Sequence, residues 1–188
     1  MQLSGAVDNC ASCRLDGGRA FPTVGPMKRD PRLTKLAWDH PHGLVMALRI
    51  ERELPLGQDI GPLYADLLTF WAAGLLPHFR TENECLLARL IRHLPLEHEA
   101  IRQTQTDHLD MEGLVATMRD TSDPAVRREA LARFGTRLRD HIRWEEATLF
   151  ELTQTTLTEH ELDALGADIA ERLPDVVPAG DLPPRPSS

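Results

Sequence analysis

Three cysteines among 188 residues are too few to staple a fold, which removes the disulfide-framed classes from consideration. Cys10 and Cys13 form a single C-x-x-C in a Gly-rich leader; that is half a zinc site, and no second pair completes it. Cys85 lies seven residues after His78, on the same helix face, where a buried Cys acts as a small hydrophobe. Long apolar runs are missing too, and none approaches the roughly 18 residues needed to cross a bilayer. The opening MQLSGAVDNCASC has neither the basic nor the apolar region of a secretory signal. The expectation is a cytoplasmic protein with no membrane partner. Basic charge is also scarce: 29 acidic against 21 basic residues give a net charge of −8, with no Lys/Arg block, which argues against a nucleic-acid partner.

What remains is an ordinary globular composition, 41% apolar and long enough for one domain with a hydrophobic core. Helical periodicity predicts a first helix over about 36–54, stopped by LPLGQ. A second starts near Pro62 and meets Pro77 in its interior, where the carbonyl of Ala73 loses its donor and a kink is expected just before His78. HLPLEH breaks the chain, and Pro95 is expected to open a third helix running to about Met118. TSDP at 121–124 reads as a cap followed by a helix start, for a fourth helix to about 153. Thr158 and Glu161 fit the capping box of a short fifth. No segment carries a strand signal. The expected fold is all-α: an up-down-up-down four-helix bundle over 34–156 with a short C-terminal helix at 157–173. Residues 1–33 read as a flexible extension, and the Pro-rich 174–188 as a disordered tail.

The unusual feature is histidine followed four places later by glutamate. Eight His and fourteen Glu in a chain of this length predict fewer than one such pair by chance, and four occur. His93/Glu97 straddles Pro95 and is set aside. His78/Glu82, His108/Glu112 and His141/Glu145 fall on three different helices, and the remaining helix offers His40 and His42 in WDHPHGL. Residues equidistant from a turn lie level on antiparallel helices. The midpoints of His40/His78, His78/His108 and His108/His141 all land on predicted turns, whereas His98 sits ten residues from His108, about 15 Å along the helix.

Facing agrees with level. His108 shares a face with Ile101, Met111, Val115 and Met118, His78 with Cys85, and His141 with Leu138 and Leu149. His40 and His42 point about 200° apart, so only one faces inward, and the repeated Asp-His at 39–40 and 107–108 favours His40. Of Glu145 and Glu146 the i+4 partner, Glu145, is the inward one. His93, His98 and His160 read as surface or interhelical residues; Trp38, Trp71 and Trp144 read as core, with Trp144, next to Glu145, also placed to wall the site. Such a cluster holds far more acceptors than donors, and buried carboxylates without partners are very costly. Bound cations resolve the conflict. Imidazole with carboxylate suits iron, manganese or zinc, and this many ligands suits a bridged pair of ions. The ligand candidates are His40, His42, His78, Glu82, His108, Glu112, His141 and Glu145. Outside this cluster the sequence offers no nucleophile, general base or phosphate loop.

Over about 36–152 the chain resembles the hemerythrin-like family built on the HHE cation-binding domain, through the Asp-His of the first helix, LLPHFRTENECLL, TDHLDM and HIRWEEATLF. The resemblance implies a non-haem di-iron centre, with Mn or Zn as substitutes, and O2, NO or peroxide as the small partner. It implies that His40, His78, His108 and His141 are terminal ligands and that Glu82 and Glu145 bridge. Hemerythrin itself has a second His on its third helix, where this chain has Glu112, and an Asp five places after its fourth-helix His, where this chain has Glu at four and at five. The ligand set is richer in carboxylate, which shifts the expectation from reversible O2 storage towards sensing or stress defence. A di-iron redox enzyme (peroxidase, NO reductase or oxygenase) and an iron-handling protein are the alternatives.

Overall fold

The computed structural model describes residues 28–57 and 59–173, and every regular element among them is helical. Helix α1, His40–Glu53, follows a 3-10 turn at Leu36–Asp39. Pro41 falls in its first turn, where an N–H has no intrahelical partner to lose. A 3-10 turn at Leu54–Leu56 ends the helix, and Gly57, at φ 68°, takes the left-handed conformation that closes it. Helix α2 runs over 61–90, α3 over Glu99–Asp120, α4 over 124–156 and α5 over Glu159–Arg172. α4 packs along α1 on one side and α3 on the other, and α5 lies against the middle of α2. This is the expected four-helix bundle with a short fifth helix.

Two starts differ in kind from one another. Asp123 caps α4 as its sequence indicates, accepting from the Ala125 N–H at 2.8 Å. Pro95, in contrast, does not open α3. It lies in the preceding turn, its carbonyl accepts from the His98 N–H, and His98 becomes the cap by accepting from the Ala100 N–H at 3.2 Å. The Thr158–Glu161 capping box forms in both directions. The segment before α1 is docked rather than free: Leu33 is buried, and Arg32 donates to Asp30, Asp163 and Glu159. Residues 1–27, with Cys10 and Cys13, and residues 174–188 lie outside the described residues.

Three π turns interrupt the long helices. One, Trp71–Leu75, precedes Pro77 and absorbs the misfit expected there, with the Leu76 N–H donating to the Trp71 carbonyl. The other two begin at Glu82 and Glu145 (Glu82–Leu87 and Glu145–Leu149), and both belong to the site.

The hydrophobic core is divided. One part gathers Met46, Ile50, Leu67, Trp71, Met111, Met118, Phe134 and Leu138 towards one end of the bundle. Another gathers Leu33, Leu36, Cys85, Leu86, Leu90, Leu149, Phe150, Leu162 and Ile169 beneath α5 and the N-terminal turns. Between them lies a layer of buried His and Glu. No helix among the described residues is long and apolar enough to cross a membrane.

Two glycines set how closely α1 and α4 approach. A Cβ on Gly43 would come within 2.6 Å of Ile142 Cδ1, the tip of a side chain that can swing away. A Cβ on Gly135 would come within 2.8 Å of Ile50 Cγ2 and 3.1 Å of its Cβ, which moves only with the backbone. Gly135→Ala is therefore expected to destabilise by about 1–3 kcal/mol through overpacking. Gly43→Ala should cost less than about 1 kcal/mol, since Ala also gains helix propensity. Urea unfolding of the two variants tests this, and equal costs would contradict the packing described.

Candidate metal centre

Six side chains from all four bundle helices converge on the polar layer. His40 comes from α1, His78 and Glu82 from α2, His108 from α3, and His141 and Glu145 from α4. Both carboxylates have 0% exposure, and His40, the most accessible of the six, has 4%. Their atoms sort into two groups, each with all ligand atoms within 4.8 Å of one another: His40, His78, Glu82 and Glu145, then Glu82, His108, His141 and Glu145. Each carboxylate divides its oxygens between the groups. Glu82 turns Oε1 to His78 Nε2 at 3.3 Å and Oε2 to His108 Nε2 at 3.2 Å. Glu145 turns Oε2 to His40 Nε2 at 3.3 Å and Oε1 to His141 Nε2 at 3.2 Å. Two ligands each about 2.1 Å from one ion, at angles between a right angle and tetrahedral, stand about 3.0–3.4 Å apart, so the spacing fits a cation in each group.

Hydrogen bonding gives an independent test of fit. Eight buried side-chain N or O atoms among the described residues have no hydrogen-bond partner, and all eight belong to these six residues. Seven are the Nε2 of His40, His108 and His141 and both oxygens of Glu82 and of Glu145; the eighth is His78 Nδ1, on the far side of its ring. Elsewhere the buried polar side chains are satisfied: Thr81, Thr104 and Thr153 each return a hydrogen bond to the carbonyl four residues back. Orphaned acceptors confined to one layer are what a cation site requires and what a settled polar core avoids.

The far side of three of the four imidazoles is held by a hydrogen bond. His40 Nδ1 lies 2.7 Å from Glu146 Oε1, His141 Nδ1 3.2 Å from Asp107 Oδ2 and His108 Nδ1 3.1 Å from Asn83 Oδ1. Asp39 Oδ2 stands 3.6 Å from His78 Nδ1, within reach of its charge but beyond a hydrogen bond. The three hydrogen bonds fix Nδ1 as the protonated nitrogen of His40, His108 and His141 and leave their Nε2 for a cation. The rings are also packed: Phe79 stacks on His108 at 3.9 Å between centroids, and Phe150 on His40 at 5.5 Å.

Without a cation the cluster is electrostatically frustrated. Burial and the neighbouring Glu82 push the Glu145 carboxyl up to about 8. Burial alone would raise Glu82 as well, but His78 and His108 hold it well below the usual carboxylate range. Burial would lower His78, yet the adjoining Glu82 and Asp39 carry it up to about 10. Burial and the His78 charge push His40 down to about 3.

Two expected ligands are not in the cluster. Glu112 is exposed. Around α3, Thr104, Asp107, Met111 and Val115 lie to one side of His108 and are buried, while the residue four places on turns to the other side, roughly 90° from the centre of the inward face. Glu82 and Glu145 have the same spacing from their His but open π turns; α3 has none. His42 is only half-buried and joins neither group, because the inward face of α1 follows His40, Gly43, Ala47 and Ile50. Glu146 reaches back to His40 while also pairing with Arg29. His93 bonds Glu161 of α5 at 2.9 Å, and His160 is exposed. Trp144 packs against the core beneath α5 and Trp71 lies between Phe79 and Phe134. The orienting Asp39 and Asp107 are residues that sequence reasoning passed over. Their signal was the repeated Asp-His, though each Asp serves the His of the next helix and not its neighbour.

A four-helix bundle carrying a buried His/carboxylate cluster defines a class of cation-binding proteins, and the family comparison agrees. The hemerythrin HHE cation binding domain matches residues 46–153, and the chain belongs to that family. The family implies metal-cation binding, and the buried groups described are able to hold the metal. The match contains five of the six clustered residues; His40 precedes it and is placed in the site by the fold alone. No curated protein matches the chain, and no solved structure does.

Protonation of the cluster generates a prediction. Below its value of about 8 Glu145 holds a proton, and below about 10 so does His78; both must lose it to ligate a cation. At pH 7 both are protonated, and, against burial, Glu145 and Asp107 raise His141 as well, so loading the metal-free protein should release at least about two protons, and affinity should rise with pH and fall on acidification. Calorimetric titration in buffers of different ionisation enthalpy measures the release. A binding heat independent of buffer would contradict it.

Proposed function

We propose that this chain is a non-haem di-iron protein that meets O2, NO or peroxide in sensing or in oxidative or nitrosative stress response. The observation carrying the proposal is the division of Glu82 and Glu145, each giving one oxygen to either ligand group, with two imidazoles completing each group. Imidazole with carboxylate admits iron, manganese and zinc; the carboxylate-rich, shared donor set favours a pair of iron ions. Bound iron would supply one-electron redox chemistry and positions for a small ligand. The chain's own residues would do the rest. The four Nε2 atoms hold the ions, the Nδ1 partners orient the rings, and Phe79 and Phe150 keep bulk water from the imidazole faces.

The same burial favours a diatomic or peroxide over a bulky substrate. Three surface cavities, of about 740, 290 and 230 Å3, are lined by none of the six clustered residues. A di-iron oxygenase would need an organic substrate beside the ions, so that alternative is the weaker one. Peroxidase and NO-reductase activity remain readings of the same centre, separated by reaction with each small ligand.

Protein expressed with iron is expected to carry about two irons per chain and an oxo-bridge absorption in the near ultraviolet. Both should be lost in Glu82→Ala and in His141→Ala, with the helical circular-dichroism signal retained. Metal content near zero in the wild type, or a spectrum indifferent to these substitutions, would overturn the proposal.

A further inference from the structure

The two ligand groups match in their inner residues but not in what backs them. Behind the His40–His78 pocket stand two carboxylates, Glu146 at 2.7 Å from His40 Nδ1 and Asp39 at 3.6 Å from His78 Nδ1. One cation, Arg29, pairs with Glu146. Behind the His108–His141 pocket stands one carboxylate, Asp107, at 3.2 Å from His141 Nδ1; His108 is backed only by the amide oxygen of Asn83 at 3.1 Å. Asp107 moreover accepts from Arg137 at 3.0 Å, which it shares with Asp110, and from Gln103 on both of its oxygens at 3.0 Å. Two carboxylates thus face the ring nitrogens of the first pocket and one faces those of the second.

Glu146, accepting from His40 Nδ1–H, raises the donor strength of Nε2, as the neutral amide behind His108 does much less; Asp39 acts on His78 through its charge and not through a hydrogen bond. The Asp39 side chain, 18% exposed, also acts on a nearby divalent ion across a poorly solvated layer, where screening is weakened. We infer that the two ion positions are unequal, that the His40–His78 pocket is the tighter, and that Asp39 and Asn83 set the difference. The inference rests on the two-cation reading of the site. Loading is then sequential: the first divalent ion enters beside α1 and the second beside α3. A centre holding two different first-row divalent metals is reachable by order of addition. Asp39 and Asn83 are positioning residues that touch no ion themselves.

The test is a titration of the metal-free full chain with Co(II), followed by calorimetry and by visible absorption, which reports coordination without redox change. The expected wild-type result is two steps separated by about tenfold or more in affinity. Asp39→Asn should weaken the tighter step by about tenfold and leave the other unchanged. Asn83→Asp, at an exposed position, should strengthen the weaker step and narrow the gap. His108→Ala should retain the tight step, and His78→Ala only the weak one. A residue with a merely structural role would move both steps together. Two indistinguishable sites in the wild type, or Asp39→Asn acting on the weaker step, would overturn the inference while leaving the two-cation centre intact. One Co(II) or none per wild-type chain would overturn the two-cation reading itself.

Discussion

Six ionisable side chains at one level of a bundle, shut away from water, impose a condition the helices cannot satisfy among themselves. Four imidazole Nε2 atoms and four carboxylate oxygens point at a common interior. Two carboxylates at this burial cannot both ionise cheaply, which is why Glu145 is driven up and Glu82 is held down by its flanking imidazoles. Divalent cations remove the conflict: they supply the positive charge and fill the lone pairs together. The divided hydrophobic core follows from the same layer, since apolar side chains close around it on either side and keep it dry. α5 and the N-terminal turns complete the dry shell at one end.

The π turns connect this chemistry to the backbone. An α-helix of 3.6 residues per turn lets a His and the residue four places on share a face only approximately. On α3 the approximation fails and Glu112 faces solvent. On α2 and α4 the Glu N–H still bonds the His carbonyl four residues back, the carboxylate lies inward, and the helix widens into a π turn from the Glu onward. An extra residue in the turn also reduces the divergence of adjacent side chains, so Glu145 can enter the cluster while Glu146 reaches His40. π turns are poor in hydrogen-bond geometry and concentrate at functional sites. Here two of three coincide with the carboxylates that divide their oxygens between the ligand groups.

The orienting shell is built across helices. Asp39 on the turn before α1 faces a histidine of α2, Asp107 on α3 faces one of α4, and Glu146 on α4 faces one of α1. Each contact ties neighbouring helices together at the level of the site, so the distances the cation requires and the packing of the bundle depend on one another. Gly43 and Gly135 serve the same end by letting α1 approach α4, which brings His40 level with Glu145.

Much of this was legible in sequence, and for a definite reason. Helical periodicity, turn residues and caps are local, so element order, the Asp123 cap, the Thr158–Glu161 box and the antiparallel levels of His40, His78, His108 and His141 could be read directly. The inward set was readable as far as the i+4 rule holds, which covers His78, Glu82, His108, His141 and Glu145 but not Glu112. What the tertiary structure alone decided lies where that geometry breaks or where a partner comes from another helix. Glu112 turns out because the covered face of α3, with Thr104, Asp107, Met111 and Val115, lies to the other side of His108; His40 is selected over His42 because α4 fixes which side of α1 is covered. Asp39, Asn83, Asp107 and Glu146 acquire roles only when a neighbouring helix brings a ring nitrogen to them. The sequence by itself determined the bundle and the kind of atoms inside it. Their sorting into two pockets, each with its own backing charge, was decided by contacts between residues up to about a hundred positions apart.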